Sequence, residues 1–220
     1  MIVEELIEKD YYYLNSKMSF KEAIKTFNDC GQNDLPVVDD GKFLGLVFVD
    51  QLKGQEKNND PISLINDQYR AVYVKPEEKM LVALNKITSE GISTIPVVND
   101  KGLMEGVLLS FQLWNEFAVR SSMLGNGGWV VLTMDQRDYK LSEIAHIVES
   151  NGMKVIISFV HYYQGIERID VHLKVDKENV NELVQTFQRF SYKVTDVIQP
   201  EKFTDDWEGK FDELMRFFST

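Results

Sequence analysis

With 220 residues, 44% of them hydrophobic and 27% charged, the chain holds enough apolar material for real cores without disulfide staples. Its 24 Lys and Arg against 35 Asp and Glu leave a net charge of −11 with no basic block, which argues against nucleic acid as a partner. One cysteine, Cys30, excludes an intrachain disulfide, no stretch approaches the roughly 18 apolar residues of a membrane span, and MIVEELIEKD has no signal-peptide character, so a cytoplasmic protein without membrane contact is expected.

The first predicted helix starts at Ser19. Ser19-Phe20-Lys21-Glu22 has capping-box spacing, and Phe20, Ala23, Ile24 and Phe27 form an i, i+3, i+4, i+7 stripe that closes at Gly31. Two apolar runs, Leu35–Val38 and Phe43–Val49, flank a turn at Gly41 and read as buried strands. The pattern then returns with a shift of 95 − 35 = 60 residues. That shift pairs Phe20 with Met80, Ala23 with Ala83, Ile24 with Leu84, Phe27 with Ile87 and Gly31 with Gly91. The strands recur as Ile95–Val98 and Leu103–Leu109 around Gly102, and Ser110–Phe117 reads as a closing helix.

A strand–helix–strand–strand–helix unit written twice, with xhPVVD/N and a following G-h-h in both copies, resembles the cystathionine beta-synthase (CBS) domain pair. The resemblance covers residues 1–120, as repeats of about 1–58 and 59–120. It implies pseudo-twofold repeats with two clefts that bind adenosine-containing ligands and regulate a partner domain, often as a dimer. An adenine nucleotide is thus a candidate effector, beside another metabolite or no ligand at all. Candidate cleft residues are Asp34, Leu35, Pro36, Phe48, Asp50 and Gln51 in the first copy, and Thr94, Ile95, Pro96, Leu109, Ser110 and Gln112 in the second.

Nucleotide-binding members of that family carry G-h-h-[ST]-x-x-D, in which the hydroxyl meets phosphate and the carboxylate holds the ribose diol. Here GLVFVDQL puts Phe48 and Gln51 at those places, and GVLLSFQL puts Leu109 and Gln112. A glutamine accepts from one ribose hydroxyl but lacks the charge and the second acceptor oxygen. Asp50 and Ser110 stand one residue away. Two readings stay open: clefts that take a metabolite, or clefts filled by side chains in a constitutive dimeric scaffold.

SSMLGNGG, residues 121–128, is rich in Gly and Ser and reads as a linker. Beyond it come a strand at Val130–Met134, a helix with the stripe Leu141, Ile144, Ala145 and Val148, and a strand at Val155–Val160. Ile169, Val171, Leu173 and Val175 alternate with polar residues, so this next strand has one wet face, and Gln164-Gly165 makes a hairpin loop. A helix carrying Val180, Leu183, Val184 and Phe187 follows, with Asp176 as its candidate cap, then a strand over Tyr192–Ile198. The order βαββαβ over residues 129–198 predicts a ferredoxin-like α+β sandwich.

Behind a CBS pair, that order resembles an ACT domain, a small module that often binds amino acids, in the arrangement of acetoin-utilisation-type regulatory proteins. The family's first loop usually holds an aspartate followed by Pro-Gly. This chain has Asp135-Gln-Arg-Asp138-Tyr139-Lys140, which leaves Asp138 and Tyr139 as candidate effector contacts.

Catalysis is not expected. His146, His161 and His172 lack a third metal ligand at a recognised spacing, and no P-loop, G-x-S-x-G or H-E-x-x-H occurs. In the tail, residues 199–220, Trp207, Phe211, Leu214, Met215 and Phe218 have helical spacing and call for burial against this chain, a second copy or a protein partner. The sequence therefore predicts a non-catalytic, homodimeric regulatory protein that senses a small molecule.

Overall fold

The computed structural model describes residues 2–199, in two compact units that divide after Phe117. In the first unit the predicted capping box is made. Ser19 Oγ accepts from the Glu22 amide at 3.2 Å, and Glu22 Oε2 accepts from the Ser19 amide at 2.9 Å. Helix α1 (Phe20–Cys30) begins there and ends on Gly31, as its twin α2 (Met80–Glu90) ends on Gly91. Strands β1 (Asp34–Asp39) and β2 (Lys42–Phe48) form one antiparallel hairpin, and β3 (Thr94–Val98) and β4 (Met104–Leu109) form its copy. Both shift register at the equivalent step, Val37/Val38 and Val97/Val98.

Each repeat departs from the expected five elements. The leading strand is a single bridging residue. The Leu14 amide donates to Pro36 O and Leu14 O accepts from the Val38 amide, both at 2.8 Å; Val74 repeats this with Pro96 and Val98 at 2.9 Å. The second copy closes with α3 (Ser110–Arg120), but the first has only 3-10 turns, Val49–Leu52 and Ile62–Gln68. Gly54 at φ +81° and Asp60-Pro61 interrupt the intervening stretch, where a continuing helix needs right-handed φ and a backbone N–H at every residue.

The repeats complete one another rather than folding as halves. Residues ahead of the first hairpin finish the second: Glu8 exchanges main-chain hydrogen bonds with Val107 at 2.8 and 3.0 Å, and Val3 is buried with Ile95, Val97 and Leu108. In the mirrored place Arg70 exchanges bonds with Leu46 at 2.8 and 3.0 Å, and Ile62 is buried with Leu14, Phe27 and Val37. Both approaches need glycine. A Cβ on Gly106 (φ +155°) would lie 2.5 Å from Glu8 O, and one on Gly45 (φ +153°) would lie 2.7 Å from Tyr69 Cβ.

The second unit contains β5 (Trp129–Asp135), α4 (Leu141–Ser150), β6 (Val155–Tyr162), β7 (Arg168–Val175), α5 (Asn181–Arg189) and β8 (Lys193–Ile198). The sheet is antiparallel in the order β6-β7-β5-β8, the βαββαβ arrangement that the periodicity predicts. Ile144, Val148, Leu183 and Phe187 of the helices share one buried core with Val130, Leu132, Val171 and Leu173 of the sheet. Asp176 does not cap α5. It precedes the helix's true N-cap, Val180, and its carboxylate instead accepts from the Lys154 amide at 2.8 Å, where β6 and β7 meet.

Residues 121–128 are part of this unit rather than a loose tether. The Lys174 ammonium, with the residue only 1% exposed, donates to the carbonyls of Ser122, Met123 and Gly125 at 2.7, 2.9 and 2.5 Å. Gly128 is paired through both main-chain groups, to Lys177 O and the Val175 amide. Among the described residues no helix is long and apolar enough to cross a membrane. The apolar stripe expected in the tail, from Trp207 to Phe218, lies outside the described residues.

Gly106→Ala forces both a rarely populated backbone conformation and a main-chain clash, so it is expected to destabilise the first unit by roughly 2–4 kcal/mol. Gly125→Ala, where the new Cβ meets its nearest neighbour at 3.5 Å without positive φ, is expected to stay within about 0.5 kcal/mol of wild type. Urea unfolding of the two variants measures the contrast.

Candidate functional site

In the expected cleft of the first copy the candidate side chains are paired with their own neighbours. Gln51 stands in the 3-10 turn after β2, and both ends of its amide are used: Oε1 accepts from the Phe48 amide at 2.7 Å and Nε2 donates to Gln68 O at 2.9 Å. The Arg70 guanidinium lies 4.9 Å from the centre of the Phe48 ring and pairs with the Glu90 carboxylate. Where a hydroxyl would meet phosphate there is thus a ring with a cation stacked on it. Asp50 points to solvent and pairs with Lys53 at 2.8 Å.

Asp34, Leu35 and Pro36 are buried in β1, and Leu35 belongs to the core. Asp34 has a structural task. Its Oδ1 accepts from the Ser93 amide at 2.7 Å and the Ser93 hydroxyl at 2.5 Å, and its Oδ2 accepts from the Thr94 amide at 2.8 Å. Since Thr94 is the repeat equivalent of Asp34, this carboxylate joins the two copies across their pseudo-twofold axis.

The second copy is less fully paired. Gln112 Oε1 and Thr94 Oγ1 are buried without a hydrogen-bond partner among the described residues. Gln112, with Leu6, Leu108 and Phe111, lines a cavity of about 220 Å³. Ile95 and Pro96 are buried in β3, Leu109 ends β4 half-buried, and Ser110 opens α3 with its amide donating to Ser93 O at 2.8 Å. Of the predicted second-copy residues, Gln112 is the one that lines this cavity.

A further cavity lies in the second unit. A groove of about 700 Å³ runs between the end of β5, one side of α4 and the turn from α5 into β8. Its floor and walls mix Met134, Ile147, Phe190 and Tyr192 with Asp135, Arg137, Asp138, Lys140, Glu143, His146 and Lys193. The turn Gln136–Asp138 holds Arg137 as a fork on Asp135: Nε donates to Oδ1 at 3.0 Å and Nη2 to Oδ2 at 3.1 Å, and the Arg137 amide donates to Oδ1 at 3.1 Å. Hydrogen bonds from Arg137 hold the Asp135 carboxyl below its ordinary range, and the same contact raises the guanidinium. Lys140 pairs with Glu143 at 2.7 Å, which raises its ammonium.

Of the two loop candidates, Asp138 lines this groove, whereas Tyr139 packs against the hydrophobic core. Arg137 and Glu143 were not singled out from sequence, and His146 was weighed there only as a metal ligand or base. The signal available was the polar side of α4, on which Lys140, Glu143, His146 and Ser150 recur at helical spacing opposite the apolar stripe. His161 and His172 do not come together. His172 stacks on Phe159 at 4.5 Å, while His161 meets the edge of Tyr163 at 4.7 Å. Among the described residues no three of His, Cys, Asp and Glu form a group that could hold a metal ion.

Comparison with known proteins bears on the first unit. The CBS domain family model matches residues 3–53 and 67–110, so the first unit is similar to a tandem CBS pair. An uncharacterised protein of Methanocaldococcus jannaschii is 24% identical over 106 residues, which cover 48% of this chain and 40% of that relative. The chain thus aligns with well under half of the relative's length. The crystal structure of a CBS domain pair/ACT domain protein from Thermotoga maritima superposes with a TM-score of 0.48 at 16% identity, over 55% of this chain and 98% of that one. A CBS domain pair in complex with 5′-methylthioadenosine and S-adenosyl-L-methionine superposes with a TM-score of 0.44 at 24% identity, over 55% and 98%.

Asp34→Ala leaves two buried amides and a hydroxyl unpaired, and is expected to cost about 3 kcal/mol in urea unfolding, with Asp34→Asn in between. For Asp135 the folded carboxyl titrates below the unfolded one. Its stabilising effect is therefore complete above the unfolded value of about 3.9 and lost as pH falls through the lower folded value. An NMR titration of the Asp135 carboxyl is expected to show a midpoint below about 3.9 that rises toward it in Arg137→Ala.

Proposed function

We propose that this chain is a non-catalytic regulatory protein in which a tandem CBS pair carries an ACT-like sensing module, and that the module's groove binds the effector. One observation carries the reading: Phe48, Arg70 and Gln51 of the first cleft are already paired with their own neighbours, while a groove of about 700 Å³ lies beside Arg137 and Asp138. Apolar walls with a few charged groups of both signs suit a small metabolite that has an apolar body and charged ends. The effector acts by favouring one arrangement of the chain over another, which a partner reads.

A second reading has its own support. Gln112, at the ribose-contact position, has a buried carbonyl without a partner among the described residues, beside a cavity, so the second copy retains an acceptor for one hydroxyl of an adenine nucleoside. The CBS pair solved with 5′-methylthioadenosine and S-adenosylmethionine supplies the natural probes.

A thermal-shift panel of amino acids, AMP, ATP, NAD, S-adenosylmethionine and 5′-methylthioadenosine tests both. A binder at 100 times its dissociation constant is expected to stabilise the protein by about 2.7 kcal/mol. The shift should disappear in Arg137→Ala and persist in Gln112→Leu. The reverse pattern assigns the effector to the second CBS cleft. A flat response across the panel favours a constitutive scaffold.

A further inference from the structure

The two faces of the second unit's sheet are used differently. Val130, Leu132, Val171 and Leu173 face the helices and share their core. Trp129, Val131 and Thr133 on β5 and Asp170, His172 and Lys174 on β7 alternate with them and lie on the other face, which Ile157, Phe159 and His161 join through their register with β7. The Lys174 ammonium holds the carbonyls of residues 122–125 over one corner of this face. Beyond that corner runs a row of rings: Trp129 meets Phe159 edge-on at 6.1 Å, and Phe159 stacks on His172 at 4.5 Å. Phe159 is 43% exposed, and Ile198, opposite Trp129 on β8, is 56% exposed. A sheet face turned to water is ordinarily polar, so an aromatic one calls for a cover. The hydroxyl and carboxylate groups on it can be covered without losing a bond. Thr133 donates to Asp170 Oδ1 and Tyr163 to Asp170 Oδ2, both at 2.5 Å, and the Thr133 and Thr195 hydroxyls lie 3.0 Å apart.

We propose that the cover is residues 207–218 of this same chain, laid as an amphipathic helix across the open face. The place where the described residues end is the first ground. Strand β8 brings the chain to Ile198 beside Trp129, at the ring-bearing end of the face, and 220 − 199 = 21 residues follow Gln199. Their sequence is the second ground. Trp207, Phe211, Leu214, Met215 and Phe218 recur at helical spacing, with Asp212, Glu213 and Arg216 on the opposite side. A helix this short is marginal alone in water and gains its stability from docking. The dimensions agree. Twelve helical residues span about 18 Å, and four strands about 4.8 Å apart make a face about 14 Å wide. The seven residues 200–206 reach up to about 23 Å when extended, enough to turn back over the sheet. So short a tether presents the stripe to this face at an effective concentration on the order of millimolar, ahead of a separate chain.

Amide hydrogen exchange of the full chain is expected to show residues 207–218 protected at least about tenfold over free-chain rates, and equally so when the protein is diluted about tenfold. Phe159→Lys should abolish that protection while the amides of Val130–Leu132 keep theirs. Phe111→Glu, exposed on α3 of the first unit, should leave the tail protected. Leu214→Lys probes the same contact from the tail and leaves the sheet's own residues untouched, so misfolding of the sheet does not enter. It should shift the methyl NMR signals of Ile157 and Ile198 on the open face and leave those of Ile144 and Ile169, in the core with the helices, in place. A wild-type tail that exchanges at free-chain rates, or protection that falls on dilution, would overturn the assignment. So would protection that survives Phe159→Lys or is lost in Phe111→Glu, or open-face methyls that do not respond to Leu214→Lys.

Discussion

Everything in the first unit depends on two close main-chain approaches that only glycine permits. At Gly106 the segment ahead of the first repeat lies along the second repeat's hairpin, and at Gly45 the segment between the repeats lies along the first. Each hairpin is thereby finished by the other repeat's leading segment, and each core holds residues from both. A hairpin of two strands is marginal alone in water, so this exchange is what makes the pair one cooperative body. Asp34 supports the same arrangement at the axis, with three hydrogen bonds to Ser93 and Thr94 that anchor one repeat on the other.

The duplication has been put to unequal use. Gln51 and Gln112 stand at equivalent places, yet one amide is consumed and the other's acceptor has no partner among the described residues. The cause is local. In the first copy, the 3-10 turn brings Gln51 back over the Phe48 amide, and the nearby Gln68 carbonyl takes the other end. In the second, the chain runs on into α3, and Gln112 instead faces the small cavity beside Leu6 and Leu108. The groove in the second unit, at about 700 Å³, offers a ligand more than three times the room of the cavity beside Gln112, at about 220 Å³. Lys174 and its three carbonyl partners hold the residues just ahead of β5 firmly on this unit, so what happens in the unit reaches residues 122–125 without slack.

Much of this was legible in the chain itself, because it is written in short-range spacing. The helix at Ser19, its end at Gly31, the copy sixty residues on and the βαββαβ order all follow from periods of 3.6 and 2 with caps and turns at the right offsets. What escaped has no such period. The exchanged segments make contact through single bridging residues, Glu8 and Arg70, which leave no repeating pattern. The groove is assembled from β5, α4 and the α5–β8 turn, segments far apart in sequence, so only Asp138 was foreseen there. Tyr139 looked equivalent to its neighbour, but its ring turns into the core. Asp176 has the right residue type for a cap and stands too far ahead of α5 to be one, and the first copy's closing helix fails at Gly54 and Pro61.

The central claim is that the effector enters the second unit's groove and not the cleft of the first repeat. Amide hydrogen exchange, with and without whichever compound of the panel binds, tests it most directly. The account predicts added protection in residues 133–147 and 186–193, with the amides of 34–51 and 68–70 unchanged. Protection concentrated in 34–51 and 68–70, with the groove unaffected, would contradict it.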